Sequence, residues 1–311
     1  MVALKIEGLT KDYRVGFWRK KVRVLHDLDL EVSEGEIFGY LGPNGAGKTT
    51  TLKLLMGLAH PTLGRAFILG RELPDVKVKA EVGFLPENPY FYEYLTGREF
   101  LVFYGRLFGL RRRELRDRIG CLLSEVGLEA AGDLQLRKYS KGMLQRIGLA
   151  QALINDPKLA ILDEPMSGLD PIGRKEIRDL ILKLKEEGKT VFFSSHITSD
   201  VEMICDRVGI LVGGRLVEMG RLEELLSAEI ESVEITASGL SECALEQVRR
   251  YAVRPVVRSG QKVLISVGNG DTAEEVLRRL LEAKARIHAV SPHKRSLEEY
   301  FFREVRGGDR R

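Results

Sequence analysis

Residues Gly42-Pro43-Asn44-Gly45-Ala46-Gly47-Lys48-Thr49 match the pattern GxxxxGK[ST], with Thr50 following. Glycines at these spacings let successive backbone N–H groups turn inward and cradle an anion at the start of a helix. Lys48 then reaches the outer phosphates of a nucleotide, and the Thr49 hydroxyl suits Mg²⁺. A second group lies far along the chain, at Leu159-Ala160-Ile161-Leu162-Asp163-Glu164. An apolar strand ending in two acids delivers Asp163 to a metal shell and sets Glu164 beside it to polarise an attacking water. Each feature alone has a plain structural reading, a glycine-rich turn in one case and a solvated strand end in the other. In this order they describe a nucleotide site.

Such a site needs elements to position it. Glu36–Leu41 reads as a buried strand running into the glycine loop, and Leu52, Leu54, Leu55, Met56 and Leu58 predict a buried helix after it. Further strands are predicted at Leu159–Leu162, Thr190–Ser194 and Gly209–Val212, with a helix at Arg174–Glu187 stopped by Gly188. Strands alternating with helices indicate a parallel α/β core. Ala3–Leu9 and Val24–Val32 alternate more strictly and predict an antiparallel sheet beside that core. Residues from about 90 to about 155 read as a mostly helical insertion.

The tail changes character. Strands at Ser232–Thr236, Val253–Arg258, Lys262–Val267 and Ile287–Val290 interleave with helical patterns at Ser241–Tyr251, Thr272–Lys284 and Ser296–Val305. That order is βαββαβ plus a final helix, a split-βαβ, ferredoxin-like arrangement. The expected domains are 1–228 and 229–311.

Composition bounds the rest. A chain of 311 residues suggests about two domains, and 44 % hydrophobic with 30 % charged residues is ordinary globular usage. A net charge of +4 is too small to argue for nucleic acid. No stretch reaches the ~18 uninterrupted apolar residues that a membrane span requires. The start, MVALKIEGLT, lacks a secretory pattern. Cys121, Cys205 and Cys243 have no metal-ligand spacing, and such a sparse, odd set fits reduced thiols. A soluble cytosolic protein is expected.

Tyr139-Ser140-Lys141-Gly142-Met143-Leu144-Gln145-Arg146 resembles the signature loop of ABC-transporter ATPases, in the variant form of their export-type members. It departs from LSGGQ with Tyr139 for Leu, Lys141 for Gly and Met143 for Gln, and it keeps Ser140 and Gly142. Ser167-Gly168-Leu169-Asp170 is similar to the family's D-loop, Ser194-Ser195-His196 to its switch histidine, and Phe84-Leu85-Pro86-Glu87 to its Q-loop, with Glu87 where most relatives carry Gln. Tyr13, in Thr10-Lys11-Asp12-Tyr13, matches the aromatic on which adenine stacks, and Ser296-Leu297-Glu298-Glu299-Tyr300-Phe301 resembles the end of the export branch.

The resemblance implies a P-loop NTPase core with an antiparallel β subdomain and a helical subdomain, followed by a small α+β domain. It implies ATP and Mg²⁺, with Thr49, Glu87 and Asp163 at the metal and Glu164 and His196 in hydrolysis. It also implies that Ser140, Lys141, Gly142, Met143 and Asp170 face the ATP held by a second copy, in a homodimer or a pair with a related ATPase. A plain N-cap at Ser140 is compatible with that role. The implied partner is a separate transmembrane permease subunit, with the chain cytoplasmic and peripheral on the inner face of the membrane. A two-cassette ATPase acting on DNA or ribosomes is disfavoured by the single cassette and the lack of sustained heptads. An ordinary kinase or GTPase is disfavoured by the signature loop, D-loop and switch histidine together.

Eight aromatics fall between residues 90 and 108. Phe100, Phe103, Tyr104 and Leu107 have helical spacing and suit a core. Tyr90, Phe91, Tyr92 and Tyr94 lie in a Pro-bounded loop and suggest docking, to the permease on the family analogy. Arg111, Arg112 and Arg113 offer two readings, a face for anionic lipid headgroups and a solvated helix end, and the second is preferred.

Overall fold

A computed structural model describes residues 1–16, 20–226, 230–260, 262–268, 270–294 and 297–298. The chain divides into two compact units, the first covering residues 1–222 and the second beginning at Glu223.

The first unit opens with β1 (Val2–Val15), β2 (Lys20–Ser33) and β3 (Ile37–Leu41), followed by α1 (Lys48–Leu55), β4 (Leu63–Ile68), β5 (Arg71–Glu72) and β6 (Val82–Leu85). Three helices follow, α2 (Gly97–Leu107), α3 (Arg112–Glu125) and α4 (Lys141–Ala152). The unit continues through β7 (Leu159–Asp163), α5 (Pro171–Glu186), β8 (Thr190–Ser195), α6 (Thr198–Ile204), β9 (Arg207–Val212) and β10 (Arg215–Arg221) to the short α7 (Leu222–Leu225).

Two sheets form in this unit. One has the order β2-β1-β4-β5 and is antiparallel. The other has the order β10-β9-β3-β8-β7-β6, parallel except at β10. β3, β7 and β8 are buried at every residue, as strands covered on both faces must be, and this explains their unbroken apolar runs. β1 and β2 have one wet face and alternate accordingly.

α1 ends earlier than the apolar pattern predicts. Gly57 takes φ 65°, the left-handed conformation that stops a helix, and Leu58 lies beyond it at 65 % exposure. α5 starts three residues before the predicted Arg174, because Asp170 caps it by accepting from the Gly173 amide and Pro171 suits the first turn. The insertion is helical as expected, with α2 opened by a reciprocal capping box between Thr96 and Glu99.

The second unit contains β11 (Ile230–Ser238), α8 (Glu242–Arg249), β12 (Val257–Ser259), β13 (Lys262–Val267), α9 (Gly270–Glu282) and β14 (Arg286–Lys294). Its sheet is antiparallel with the order β12-β13-β11-β14, and its core includes Ile235, Leu245, Ile265 and Leu280. The strand predicted over Val253–Arg258 shrinks to Val257–Ser259, since Pro255 has no N–H to give to a ladder. Of the predicted Ser296–Val305 helix only Leu297 and Glu298 are described, and both are helical. The rest lies outside the described residues.

Candidate functional site

The glycine loop leaves the C-terminal end of β3 and enters α1, so its backbone amides surround a helix start. Gly47 is the cap residue, with φ 112°, and a Cβ there would lie 2.7 Å from Leu25 Cδ2. A Cβ on Gly42 would lie 2.6 Å from the Leu211 carbonyl oxygen. These contacts make glycine obligatory at both positions. Pro43, Asn44, Gly45, Gly47, Lys48, Thr49 and Thr50 line a cleft of about 330 Å³ together with Val24, Glu87 and Glu164. Gly42 and the buried Ala46 support the loop from behind, the first by accepting a hydrogen bond from Lys48 Nζ at 2.6 Å.

Lys48 is only 5 % exposed, and its ammonium also lies 3.2 Å from Glu164 Oε1. Glu164 Oε2 in turn lies 2.8 Å from His196 Nδ1. Glu164 therefore bridges a lysine of the loop and a histidine just past β8. It does so from φ 50°, a left-handed backbone that a non-glycine residue adopts only under constraint. The constraint is visible: the Glu164 amide donates to Ser194 Oγ at 3.0 Å, and the same hydroxyl donates to Asp163 Oδ1 at 2.6 Å. Burial pushes the Asp163 carboxyl above the ordinary carboxylate range, while hydrogen bonds from Ser194 and Thr49 oppose that shift.

These residues fit a nucleotide with Mg²⁺. Thr49 and Asp163 are hydrogen-bonded hard oxygen donors beside the loop, and Glu87 adds a carboxylate to the cleft wall. Among the described residues no group of three or more His, Cys, Asp or Glu forms a metal cage. That agrees with Mg²⁺, which takes one or two protein oxygens and completes its shell with phosphates and water.

Ser140, Lys141, Gly142, Met143 and Asp170 do not line this cleft. They form a second cluster. Ser140 caps α4 by accepting from the Met143 amide at 3.3 Å, and Asp170 caps α5. The Lys141 side chain lies across Gly168, and Leu169 packs over Gly142. Gln145, buried in α4, donates to the Pro165 carbonyl at 2.9 Å and so ties this cluster to the end of β7. Tyr13 is also outside the cleft lining. It pairs with Val22 on β2, two residues from the cleft residue Val24, and its ring carries the Lys11 ammonium 4.8 Å from its centroid.

Ser194 and Val24 are the functional positions that the motifs did not single out. Ser194 stands in the Ser194-Ser195-His196 run, two residues before the histidine, but nothing local marks its hydroxyl as the tie between Asp163 and Glu164. Val24 has no signal beyond an alternating strand. The aromatic loop divides: Tyr90 and Tyr94 are 82 % and 68 % exposed, while Phe91 packs on Phe100 at 5.4 Å and Tyr92 on Phe103 at 5.5 Å. Among the described residues no helix is long and apolar enough to cross a membrane.

Residues 25–167 match the model of a family described as ABC transporter. An uncharacterized ABC transporter ATP-binding protein of Synechocystis sp. is 46 % identical over 301 residues, covering 96 % of this chain and 83 % of the relative. The bacitracin transport ATP-binding protein BcrA of Bacillus licheniformis is 34 % identical over 308 residues, covering 98 % of each. Among solved structures, an ATP-binding cassette in a dimeric post-hydrolysis state with ADP and Pi superposes with a TM-score of 0.65 at 27 % identity. That match covers 70 % of this chain and 98 % of the cassette.

Proposed function

The chain belongs to the ATP-binding subunits of ABC transporters, and from that premise we propose that it hydrolyses ATP and energises export through a separate membrane-spanning subunit. Two copies, or one copy and a related ATPase, pair head to tail, with ATP between the Lys48 loop of one and Ser140, Lys141, Gly142, Met143 and Asp170 of the other. The observation that carries this reading is Glu164, buried and held between Lys48 and His196 at the mouth of the phosphate loop.

The division of labour follows from that placement. Lys48 exchanges its carbonyl and carboxylate partners for phosphate oxygens when nucleotide enters, at little cost in desolvation because its ammonium is already buried. Thr49 and Asp163, with Glu87 from the adjoining loop, would hold Mg²⁺, which would supply charge neutralisation at the outer phosphates. Glu164 accepts the proton of the attacking water, and Ser194 fixes the backbone that aims it. His196 holds the far oxygen of Glu164, and through it steadies the carboxylate at the cleft. Tyr13 offers a ring to the adenine.

The cluster around Gly142 supports pairing, because its helix start is capped and its glycine is open to approach while none of its residues lines the nucleotide cleft of the same copy. The dimeric relative bound to ADP and Pi gives the same support. Export is supported by the near full-length likeness to a bacitracin transport protein. The exposed Tyr90 and Tyr94 beside Glu87 suit a permease contact that senses the nucleotide, with the chain peripheral on the inner face of the membrane. The tail, an accessory ferredoxin-like domain, is supported by its antiparallel strand order.

Glu164→Gln tests the reading. The amide keeps the shape and cannot act as base, so the variant should bind Mg-ATP, release no phosphate and run as a dimer on a sizing column. A monomer under those conditions overturns head-to-tail pairing, and wild-type turnover overturns the role of Glu164.

A further inference from the structure

The corner where α2 meets α3 holds a second cavity, of about 470 Å³, remote in its lining from the nucleotide cleft. Four arginines line it, Arg98, Arg106, Arg112 and Arg116, above an apolar floor in which Leu115 and Ile119 are buried. Four like charges around one cavity repel one another unless something anionic lies between them. Arg98 has a partner, donating from Nε to Asp133 Oδ1 at 3.2 Å. Among the described residues, no hydrogen bond or ion pair joins Arg106, Arg112 or Arg116 to an acidic group.

The helix start makes the imbalance worse. A helix N-terminus carries partial positive charge, and α3 begins with Arg112 and Arg113 after Arg111, whose side chain gives no capping bond; against these the first turn sets one acid, Glu114. Folding has thus gathered guanidinium groups and uncapped amides at one point, an arrangement that costs stability in the empty protein and is compensated by a bound anion. Guanidinium groups match phosphate oxygens bidentately. The ligand must also suit carbon, because the floor is apolar and the neighbouring Leu107 and Phe108 are exposed at the end of α2.

We propose that this cavity binds the head of an anionic phospholipid, with its phosphate among Arg106, Arg112 and Arg116 and its glycerol and first acyl carbons over Leu115 and Ile119. Leu107 and Phe108 then enter the interfacial layer, as apolar residues beside a basic face do at membrane surfaces. A free phosphate ester leaves that floor and rim unused, and an acidic peptide leaves them without apolar cover. The site stands apart from the ATPase reading and requires no nucleotide.

Flotation of the full chain with vesicles, nucleotide absent, is the test. Binding should appear when phosphatidylglycerol is added to phosphatidylcholine and not with phosphatidylcholine alone. Arg106→Glu with Arg116→Glu should lower binding by about tenfold or more, since each basic group near an anionic surface is worth several-fold. Arg249→Glu with Arg250→Glu, an equal change of net charge at residues that do not line the cavity, should lower it by less than about twofold at physiological salt. Equal loss from both pairs means general charge attraction and overturns the site. Full competition by soluble glycerol 3-phosphate assigns the cavity to a free ester, and vesicle-independent binding of hexaglutamate lost with the same arginine pair assigns it to a protein partner; either overturns the lipid. Arg106→Gln with Arg116→Gln serves as the gentler variant. It should lose binding while melting no lower than the wild type, because it relieves repulsion, and a fall in melting temperature would show these arginines to be structural.

Discussion

Gly47 and Gly142 both stand at the start of a helix, and only the first is required as glycine by its own chain. At Gly47 the backbone is left-handed and a Cβ would collide with Leu25. At Gly142 a Cβ would meet nothing closer than Leu169 Cδ2 at 3.5 Å, an ordinary contact. The phosphate loop is thus finished within one molecule. Its lysine is buried, its acid is aimed, and the hydroxyl of Ser194 locks the strand end behind them. The Gly142 segment is well capped by Ser140 and lies outside the lining of that cleft. The contrast teaches that folding preorganises the phosphate loop within one chain, whereas on the proposed reading the Gly142 segment completes its site only against a second copy.

The contrast can be broken at its strongest point first. Lys48→Ala removes the one cation that lines the cleft among the described residues and leaves the Glu164 carboxylate with His196. Nucleotide affinity should fall by about a hundredfold or more, roughly 2.7 kcal/mol. Titration with a fluorescent ATP analogue measures this, and unchanged affinity would end the assignment of the loop. Gly142→Ala probes the other half. Alanine suits a helix better than glycine by up to ~1 kcal/mol, so the variant should fold and bind nucleotide as the wild type does. Phosphate release should nevertheless fall by about tenfold or more, because the added methyl stands where a second copy must approach closely. Unchanged turnover would mean that the two glycine loops differ without consequence.

Glu87→Gln sharpens the comparison with the smallest effect. Glu164 is fixed on a rigid strand end, whereas Glu87 follows β6 in a loop, a poor platform for in-line attack. Turnover should stay within about tenfold of wild type, ~1.4 kcal/mol in barrier, with a higher Mg²⁺ requirement. Steady-state assays of Glu87→Gln and Glu164→Gln at saturating Mg²⁺ decide the order. If Glu87→Gln is the more damaging, the base is Glu87.

Much of the core was legible because its signals are local. Strands buried on both faces show as unbroken apolar runs, as at Leu159–Leu162, and the cap at Ser140 shows as a side chain three residues ahead of the amide it serves, whereas the Asp170 cap went unread and the predicted helix starts three residues late. Strand ends were less legible. β10 escaped because Arg215–Arg221 holds no fully buried residue, only half-buried ones such as Leu216 and Met219 against the core, and the Val253–Arg258 pattern was longer than the strand because Pro255 cannot join a ladder. The arginine run at 111–113 read as a solvated helix end; in the fold, Arg112 joins Arg98, Arg106 and Arg116 around a cavity.

By itself, then, the sequence determined the chemistry available: a loop that must turn its amides inward, a strand that must end in two carboxylates, a capped helix carrying Gly142. These depend on residues a few positions apart, where backbone sterics and capping act. Only the tertiary structure decided which of them meet. Lys48, Glu164 and His196 come together because β3, β7 and β8 lie side by side in one parallel sheet and end at the same edge. That order is set by burial of three apolar strands against helices on both faces, a collective preference that no single spacing in the chain encodes.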